Sequence, residues 1–472
     1  MMKVLLINPP MLVDEKPKFP SFGMAYIYHA LRSAGYETAL LDIDAYRYPK
    51  EYVLDFIRAN QPDVIGLGGL VTVYPYLAWL VPEARKIFPD IKIALGGPVA
   101  SSLRERCFER LAVDFIVVGE GELTVVQLLN ALQGKENILQ VNGIGFKDSG
   151  KVIFTEPRPL MPDLSGVPFF DDTIFPMEDF LKRSSGVFQI HVQRGCPSNC
   201  TFCFNAFRVV SRKVRYRPVS HILRELKSFK EKYKEKISLF ALAGECVTMN
   251  REWLRDFSQG LIEAELNINY RVTSRVDTID EERLEWLRRS GCSTISFGLE
   301  SGSSDILRIM RKNSTPEKGL RAVHLARKYI PHVEVSIMLG YVGENRKTLD
   351  ETVSFCKKLG IRPVIFYATP FPGTELYSMA LQKRRILDEE SYLMGLDKKV
   401  ISALNLNLTD MEDKDARSLI IAAHKEIERY YFVRSLFNFE VVKNIFYGLA
   451  KNGPRESCRR IWRKSLFLLR KD

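Results

Sequence analysis

Three cysteines stand close together in QRGCPSNCTFCFN, at Cys196, Cys200 and Cys203. Three thiolates on one short loop suit three corners of a four-iron, four-sulfur cluster. No fourth cysteine lies nearby, so one iron would keep an open position, able to bind a substrate and pass it an electron. The chain has 8 cysteines in 472 residues. By frequency arithmetic on that count, this triple spacing arises by chance in roughly 0.2% of such chains. The alternatives are a structural zinc site or three unrelated buried thiols. Zinc wants a fourth protein ligand. The nearest histidines are poorly placed for that role: His191 is on a strand entering the loop, and His221 begins a separate helix.

Such a loop needs regular elements to hold it. Apolar runs at 188–192, 237–242, 269–273, 293–298, 333–339 and 363–368 read as strands. Helical periodicity falls between them, near 217–234, 250–265, 280–290, 316–330 and 346–359. Six units predict a partial (β/α)6 barrel, too few for a full one. Barrel chemistry sits at the carboxyl ends of strands, and the cysteine loop follows the first strand. Glu245 follows the second strand, and Ser274 and Arg275 the third. Glu300, Ser301 and Ser303 follow the fourth, Gly340, Gly343 and Glu344 the fifth, and Thr369 the sixth. Each alone reads equally well as solvated loop. Together, on one rim beside the cysteines, they read as a site.

The N-terminal third repeats a different unit. Apolar strands at 3–8, 38–42, 62–69, 91–97 and 114–119 alternate with helices near 23–35, 75–87, 102–110 and 121–133. Strands buried on both faces appear as continuous Val/Ile/Leu runs, which predicts a parallel sheet covered by helices on both sides. Glycines close the strand ends at Gly66, Gly68, Gly69, Gly96, Gly97 and Gly119. Ligands of open α/β sheets bind beyond those ends. Neither GxGxxG nor GxxxxGK[ST] is present, so dinucleotide and P-loop readings lose support. A flat glycine rim suits a large planar cofactor. The expected architecture is α/β: a flavodoxin-like doubly wound sheet (1–135), a linker with a β-hairpin turning at Asp148-Ser149-Gly150 (136–183), the partial barrel (184–385) and a small, basic helical C-terminal region (386–472).

Hydrophobic residues make up 46% of the chain, enough for several cores. The other cysteines are scattered, which argues against a disulfide scaffold. The opening MMKVLLINPP is too short an apolar run for a signal peptide, and no stretch approaches the ~18 apolar residues that span a bilayer. A reducing cytoplasm is expected. The net charge of +12 fits anionic substrates, a membrane surface or nucleic acid. Much of it lies in residues 430–472, where aromatics interleave with Lys and Arg. That segment reads as a helical lid with a solvated basic face, as an interfacial element resting on anionic lipid, or as a nucleic-acid contact.

CPSNCTFC resembles the CxxxCxΦC motif of the radical S-adenosylmethionine superfamily, with Phe202 as the aromatic before the third cysteine. GLESGS, MLGYVGEN and PFPGTELY resemble the subgroup with an N-terminal cobalamin-binding domain, and NPP, SFGMAYIYHAL, LGGPVAS and VVGEGE resemble that domain. The resemblance covers roughly residues 1–380. It implies that Cys196, Cys200 and Cys203 ligate the cluster and that S-adenosylmethionine chelates the open iron. An electron then releases a 5′-deoxyadenosyl radical, which abstracts hydrogen from an unactivated carbon, and methylcobalamin supplies a methyl group. Phe202, Glu245, Ser274, Arg275, Glu300, Ser301 and Gly340 would contact S-adenosylmethionine. Pro9, Ser21, Gly23, Gly68, Gly69, Gly96, Gly97, Gly119 and Glu120 would bind cobalamin. The DxHxxG loop that donates a histidine to cobalt is missing, and the only N-terminal histidine, His29, lies inside an amphipathic helix. The resemblance also implies a flavodoxin or ferredoxin as reductant and a small-molecule or lipid substrate. Nucleic acid is not expected as a partner, because the methylthiotransferases that act on RNA carry an N-terminal cysteine trio that is missing here. A ring-forming or carbon–carbon bond-forming enzyme, and a non-catalytic binding protein with a metal-stapled loop, are the alternatives.

Overall fold

The computed structural model describes residues 2–12, 15–203, 212–397 and 401–436. The strongly basic stretch from 437 onward lies outside them. The chain forms two compact units. The first comprises Met1–Thr273, Trp286–Cys292 and Pro370–Val400, the second Ser274–Glu285, Ser293–Thr369 and Ile401–Asp472.

The N-terminal sheet contains β1 (Lys3–Asn8), β2 (Glu37–Asp42), β3 (Val64–Gly68), β4 (Lys92–Gly96), β5 (Phe115–Val117), β6 (Ile144–Asp148) and β7 (Lys151–Phe154), in the order β2-β1-β3-β4-β5-β6-β7. The first five pair in parallel. Alternate side chains of a strand face opposite sides. Accordingly Leu5, Ile7, Ile65 and Leu67 pack with Val53, Ile57, Leu77 and Leu80, whereas Val4, Leu6 and Val64 pack with Met24, Leu31 and Leu129. Both faces are core, hence the unbroken apolar runs.

Three features depart from the sequence reading. The helix Lys50–Asn60 was not expected; it buries only Val53 and Ile57, too thin a stripe to stand out among its charges. The helix expected near 102–110 is two, Gly97–Leu103 and Glu105–Arg110, broken at Arg104 with φ 46°. The hairpin of the expected linker turns where predicted, with Ser149 at φ 49° and Gly150 at φ 81°, a two-residue turn with both residues left-handed. It belongs to the sheet, adding two antiparallel strands beyond β5.

The second sheet contains β8 (Val187–His191), β11 (Leu239–Ala243), β12 (Tyr270–Ser274), β13 (Cys292–Glu300), β14 (His332–Leu339) and β15 (Val364–Tyr367), in the order β15-β14-β13-β12-β11-β8. β8 with β11, β11 with β12, β13 with β14 and β14 with β15 pair in parallel, and helices at Val219–Tyr233, Arg251–Glu263, Glu281–Arg289, Pro316–Tyr329 and Arg346–Leu359 follow the strands, giving the partial barrel. A short antiparallel pair, β9 (Gln193–Arg194) and β10 (Arg215–Tyr216), closes the cysteine loop. The residues after the barrel divide. The helix Glu389–Met394 returns to the first unit, where Leu393 and Leu396 join the sheet core and Glu390 accepts from the Tyr74 hydroxyl at 2.8 Å. The helix Asp413–Leu436 belongs to the second unit and lies against Arg346–Leu359, with the Tyr431 hydroxyl donating to the Cys356 carbonyl at 2.6 Å. Among the described residues no helix is long and apolar enough to cross a membrane.

Two buried carboxyls fix loops near the strand ends. Arg217 donates to Glu225 at 2.6 Å with both side chains 1% exposed, and Glu225 also accepts from the Phe170 amide at 2.8 Å. Removing one partner of such a pair strands a buried charge. Glu225→Ala is therefore expected to cost about 3–5 kcal/mol in urea unfolding, and the double change to apolar residues of similar volume far less than the two single changes combined. In the second unit Glu344 Oε2 accepts from the amides of Gly340 and Tyr341 at 2.7 and 3.2 Å, shaping the turn after β14. Burial pushes its carboxyl up from the usual 4.5 to about 8, against those two hydrogen bonds. The folded state thus keeps a proton that the unfolded chain releases. The stability it contributes is fully present below 4.5 and lost as pH rises through about 8. Thermal melts of Glu344→Gln are expected to show a flatter pH dependence across this window than the native protein; an unchanged slope would contradict the assignment.

Candidate functional site

Cys196, Cys200 and Cys203 lie on the loop that β9 and β10 close, in register Arg215 to Arg194 and Tyr216 to Gln193. The neck of the loop requires glycine. Gly195 has φ 94°, and a Cβ there would stand 2.3 Å from the Lys213 carbonyl oxygen. Gln193 ties the neck to the end of β11: its amide nitrogen donates to the Gly195 carbonyl at 2.9 Å, and its oxygen accepts from the Cys246 amide at 2.9 Å. Cys200 is buried, Cys196 and Cys203 are half-buried, and none of the three is in a disulfide. The Cys203 amide donates to the Cys200 carbonyl at 3.2 Å. Phe202 is half-buried between them.

Each thiolate of an iron–sulfur cubane takes its own iron, and three cysteines on one tied loop are a donor set that fits the cluster. His191 is not part of it. Its ring stacks on Phe22 at 4.3 Å, and burial, with the charges of Arg194 and Arg217, lowers its pKa to about 3.

Glu245 follows β11 and is held at the same neck, its carboxylate accepting from the Gly195 amide; burial raises its pKa. Its Oε2 is buried without a partner, a costly state that a cationic ligand group would relieve.

In the second unit the expected residues also stand at strand ends, and most are engaged. Arg275 makes a bidentate pair with Asp277 at 2.9 and 2.8 Å and donates to the Lys312 carbonyl. Ser274 donates to the Arg275 carbonyl at 3.1 Å. The register of β13 against β14 shifts between Gly298 and Glu300, and Glu300 has φ 69°. A bulge of this kind re-aims a side chain, and a left-handed non-glycine residue stores strain. Glu300 accepts from Lys312 Nζ at 2.8 Å. Ser301 is buried, its hydroxyl accepting from the Ser303 amide and contacting Thr352 at 3.1 Å. Gly340 is at φ 83° in the turn that Glu344 holds. Lys312, Asp277 and Gln193 escaped the sequence reading, since nothing in their spacing marks them.

The rim of the N-terminal sheet answers differently from position to position. Pro9 is buried directly after β1. Gly69 and Gly97 let the turns after β3 and β4 abut: a Cβ on Gly97 would meet the Gly69 amide nitrogen at 3.2 Å, so packing of the chain explains both glycines. Gly68 and Gly96 close their strands, with only ordinary contacts around an added Cβ, and Gly119 has φ 87°. Gly23 is exposed and a Cβ there would meet nothing, so no contact of the chain requires glycine. Ser21 stands before the helix Phe22–Ser33 without capping it. Thr72 Oγ1 and the Tyr76 hydroxyl, just past β3, are buried with no partner. Unspent hydroxyls on this rim fit a cofactor carrying amide side chains. His29 is exposed on its helix. Glu120 is buried facing two arginines of the barrel half: burial alone would raise its pKa, but the Arg215 hydrogen bond and the Arg194 and Arg215 charges hold it below the usual range.

Comparison with known proteins matches residues 190–356 to the radical SAM superfamily and residues 12–129 to the B12 binding domain. An uncharacterized methyltransferase of Pyrococcus horikoshii is 29% identical over 82% of this chain and 84% of its own length. The anaerobic magnesium-protoporphyrin IX monomethyl ester cyclase of Synechocystis is 25% identical over 96% of both chains. The fold matches that of the radical S-adenosylmethionine methyltransferase TsrM from Kitasatospora setae, solved with cobalamin and a [4Fe-4S] cluster, at TM-score 0.67 and 18% identity over 82% of this chain and 76% of that one. With the three-cysteine loop after the first barrel strand and a glycine-rimmed parallel sheet before it, the chain carries a radical SAM domain preceded by a B12-binding domain.

Proposed function

We propose that this protein is a cobalamin-dependent radical S-adenosylmethionine enzyme that methylates an unactivated carbon of a small molecule. The observation that carries the reading is the tied three-cysteine loop, with a buried, half-satisfied carboxylate at its neck, in a chain that also carries the B12-type sheet. When bound, the cluster and S-adenosylmethionine supply a radical that abstracts hydrogen, and cobalamin supplies the methyl group. The chain binds and orients them. Cys196, Cys200 and Cys203 hold the cluster and leave one iron open. Glu245 would accept on its unpartnered oxygen a hydrogen bond from the amino group of the methionine part, whose nitrogen lone pair goes to the open iron, beside Phe202. Ser274, Arg275, Glu300, Ser301 and Gly340 shape the remaining strand ends for the nucleoside. Pro9, Ser21, Gly23, Gly68, Gly69, Gly96, Gly97 and Gly119 form the cobalamin rim, and cobalt receives no protein histidine.

The domain roles follow the boundaries read from sequence, with cobalamin binding at 1–135, the radical domain at 184–385 and a basic C-terminal region at 386–472, while the hairpin of the expected linker 136–183 joins the N-terminal sheet. Cysteines outside disulfides suit a reducing cytoplasm. A flavodoxin or ferredoxin is the reductant of choice, and the basic stretch from 437 is the candidate for contact with anionic lipid. A second reading, ring closure without methyl gain, is favoured by the full-length similarity to a cyclase. Feeding cells methionine with a deuterated methyl group separates the two. A product that gains the labelled methyl supports transfer, and one that only loses hydrogen supports ring closure.

Two substitutions test the assignments. Cys200→Ala is expected to lose the iron–sulfur absorbance and all formation of 5′-deoxyadenosine under anaerobic reduction; retained cleavage would contradict the ligand set. Glu245→Gln is expected to keep the cluster and weaken S-adenosylmethionine binding about 10- to 100-fold, the worth of one charged hydrogen bond. Equilibrium dialysis reads the difference, and native affinity would remove Glu245 from the site.

A further inference from the structure

Arg194 and Arg215 stand directly opposite each other on the two legs of the cysteine loop. Both reach one carboxylate. Glu120 accepts from Arg194 Nη1 at 3.1 Å and from Arg215 Nη1 at 2.9 Å, and from the Met161 amide at 3.1 Å. Arg194 spends its other branch on Glu122 at 2.6 Å. The side chains are only 2% (Arg215), 4% (Glu120), 10% (Arg194) and 13% (Glu122) exposed. Glu120 belongs to the turn between β5 and the helix Glu122–Leu132, on the rim where the sheet binds its ligand. The two legs of the loop and the sheet rim, all in the first compact unit, therefore meet at a single buried carboxylate.

Stability alone does not account for this choice. Well-packed apolar side chains of the same volume would serve stability as well or better, because desolvating the charges costs about as much as pairing them returns. What the charges add is direction: Arg194 spreads its two Nη branches over Glu120 and Glu122, while Arg215 reaches the same Glu120 carboxylate through Nη1 from the opposite leg. Held from both legs, the loop has little freedom to pivot. We propose that Arg194, Glu120 and Arg215 form a latch that sets the position of the cysteine loop against the sheet rim and, given the function proposed above, the separation of the two cofactors. They are positioning residues. Glu120 acts through the arginines, a role other than the cobalamin contact expected from sequence.

Hydrogen exchange on the full chain, before any cofactor is loaded, reads the latch directly. In Glu120→Gln, peptides covering residues 193–203 and 212–217 are expected to exchange at least about tenfold faster than in the native protein, with peptides from β1 and β3 unchanged. Glu120→Asp, which keeps the charge, should recover part of the protection. After loading, pulsed electron paramagnetic resonance between the reduced cluster and cob(II)alamin should give a broader distance distribution in Glu120→Gln. Should that variant not fold, Glu122→Gln, which removes only the outer branch, should show the same local acceleration with smaller size. Native exchange rates in these peptides, or an unchanged distance distribution, would overturn the latch. A chain that loads neither cofactor would sink the proposed function and leave the exchange result to decide the latch.

Discussion

Parallel pairing is the constraint from which the rest follows. A strand that returns in the same direction must cross over through a helix, so every strand of the run delivers its carboxyl end to one edge. In the N-terminal sheet this places Asn8, Asp42, Gly68, Gly96 and Val117 on one rim. In the second sheet it places the cysteine loop after β8 beside the Glu245 turn after β11, the two strands being paired from Val187 to His191. Chemistry can gather there because the opposite edge and both faces are given over to packing. The antiparallel hairpin beyond β5 escapes the constraint, since adjacent antiparallel strands need no crossover, and it takes no part in the rim.

The rim is built by burying polar groups and then pairing most of them. Gln193 satisfies a carbonyl and an amide at the neck of the loop, Glu344 satisfies two amides after β14, and Glu225 accepts from Arg217 Nη1 and the Phe170 amide. Each pairing converts a desolvation cost into a fixed backbone position. Glu245 Oε2, Thr72 Oγ1 and the Tyr76 hydroxyl are among the buried atoms without a partner, and these three follow parallel strands.

The regular elements were legible because both their cues are local. Five apolar runs and six strand–helix units appear near their expected places, and the Asp148-Ser149-Gly150 turn is where its residues require it. The helix Lys50–Asn60 was hidden because two buried side chains leave almost no apolar stripe. The cysteine loop was legible because all three thiols lie within eight residues of one another, so their spacing is local. The partners of Glu120 were not, because Arg194 and Arg215 lie 74 and 95 residues away. The same holds for the bulge that gives Glu300 its left-handed backbone, which depends on the register of β14. Side-chain roles set by long-range pairing leave no trace in spacing.

The central claim is that three cysteines hold a cluster whose fourth iron takes S-adenosylmethionine. Electron paramagnetic resonance of the anaerobically reconstituted, reduced protein tests it most directly. The account predicts a four-iron signal that shifts on adding S-adenosylmethionine and shows coupling to nitrogen-15 placed in its amino group. A reduced cluster whose signal is indifferent to S-adenosylmethionine, or a loaded protein with no such signal, would contradict it.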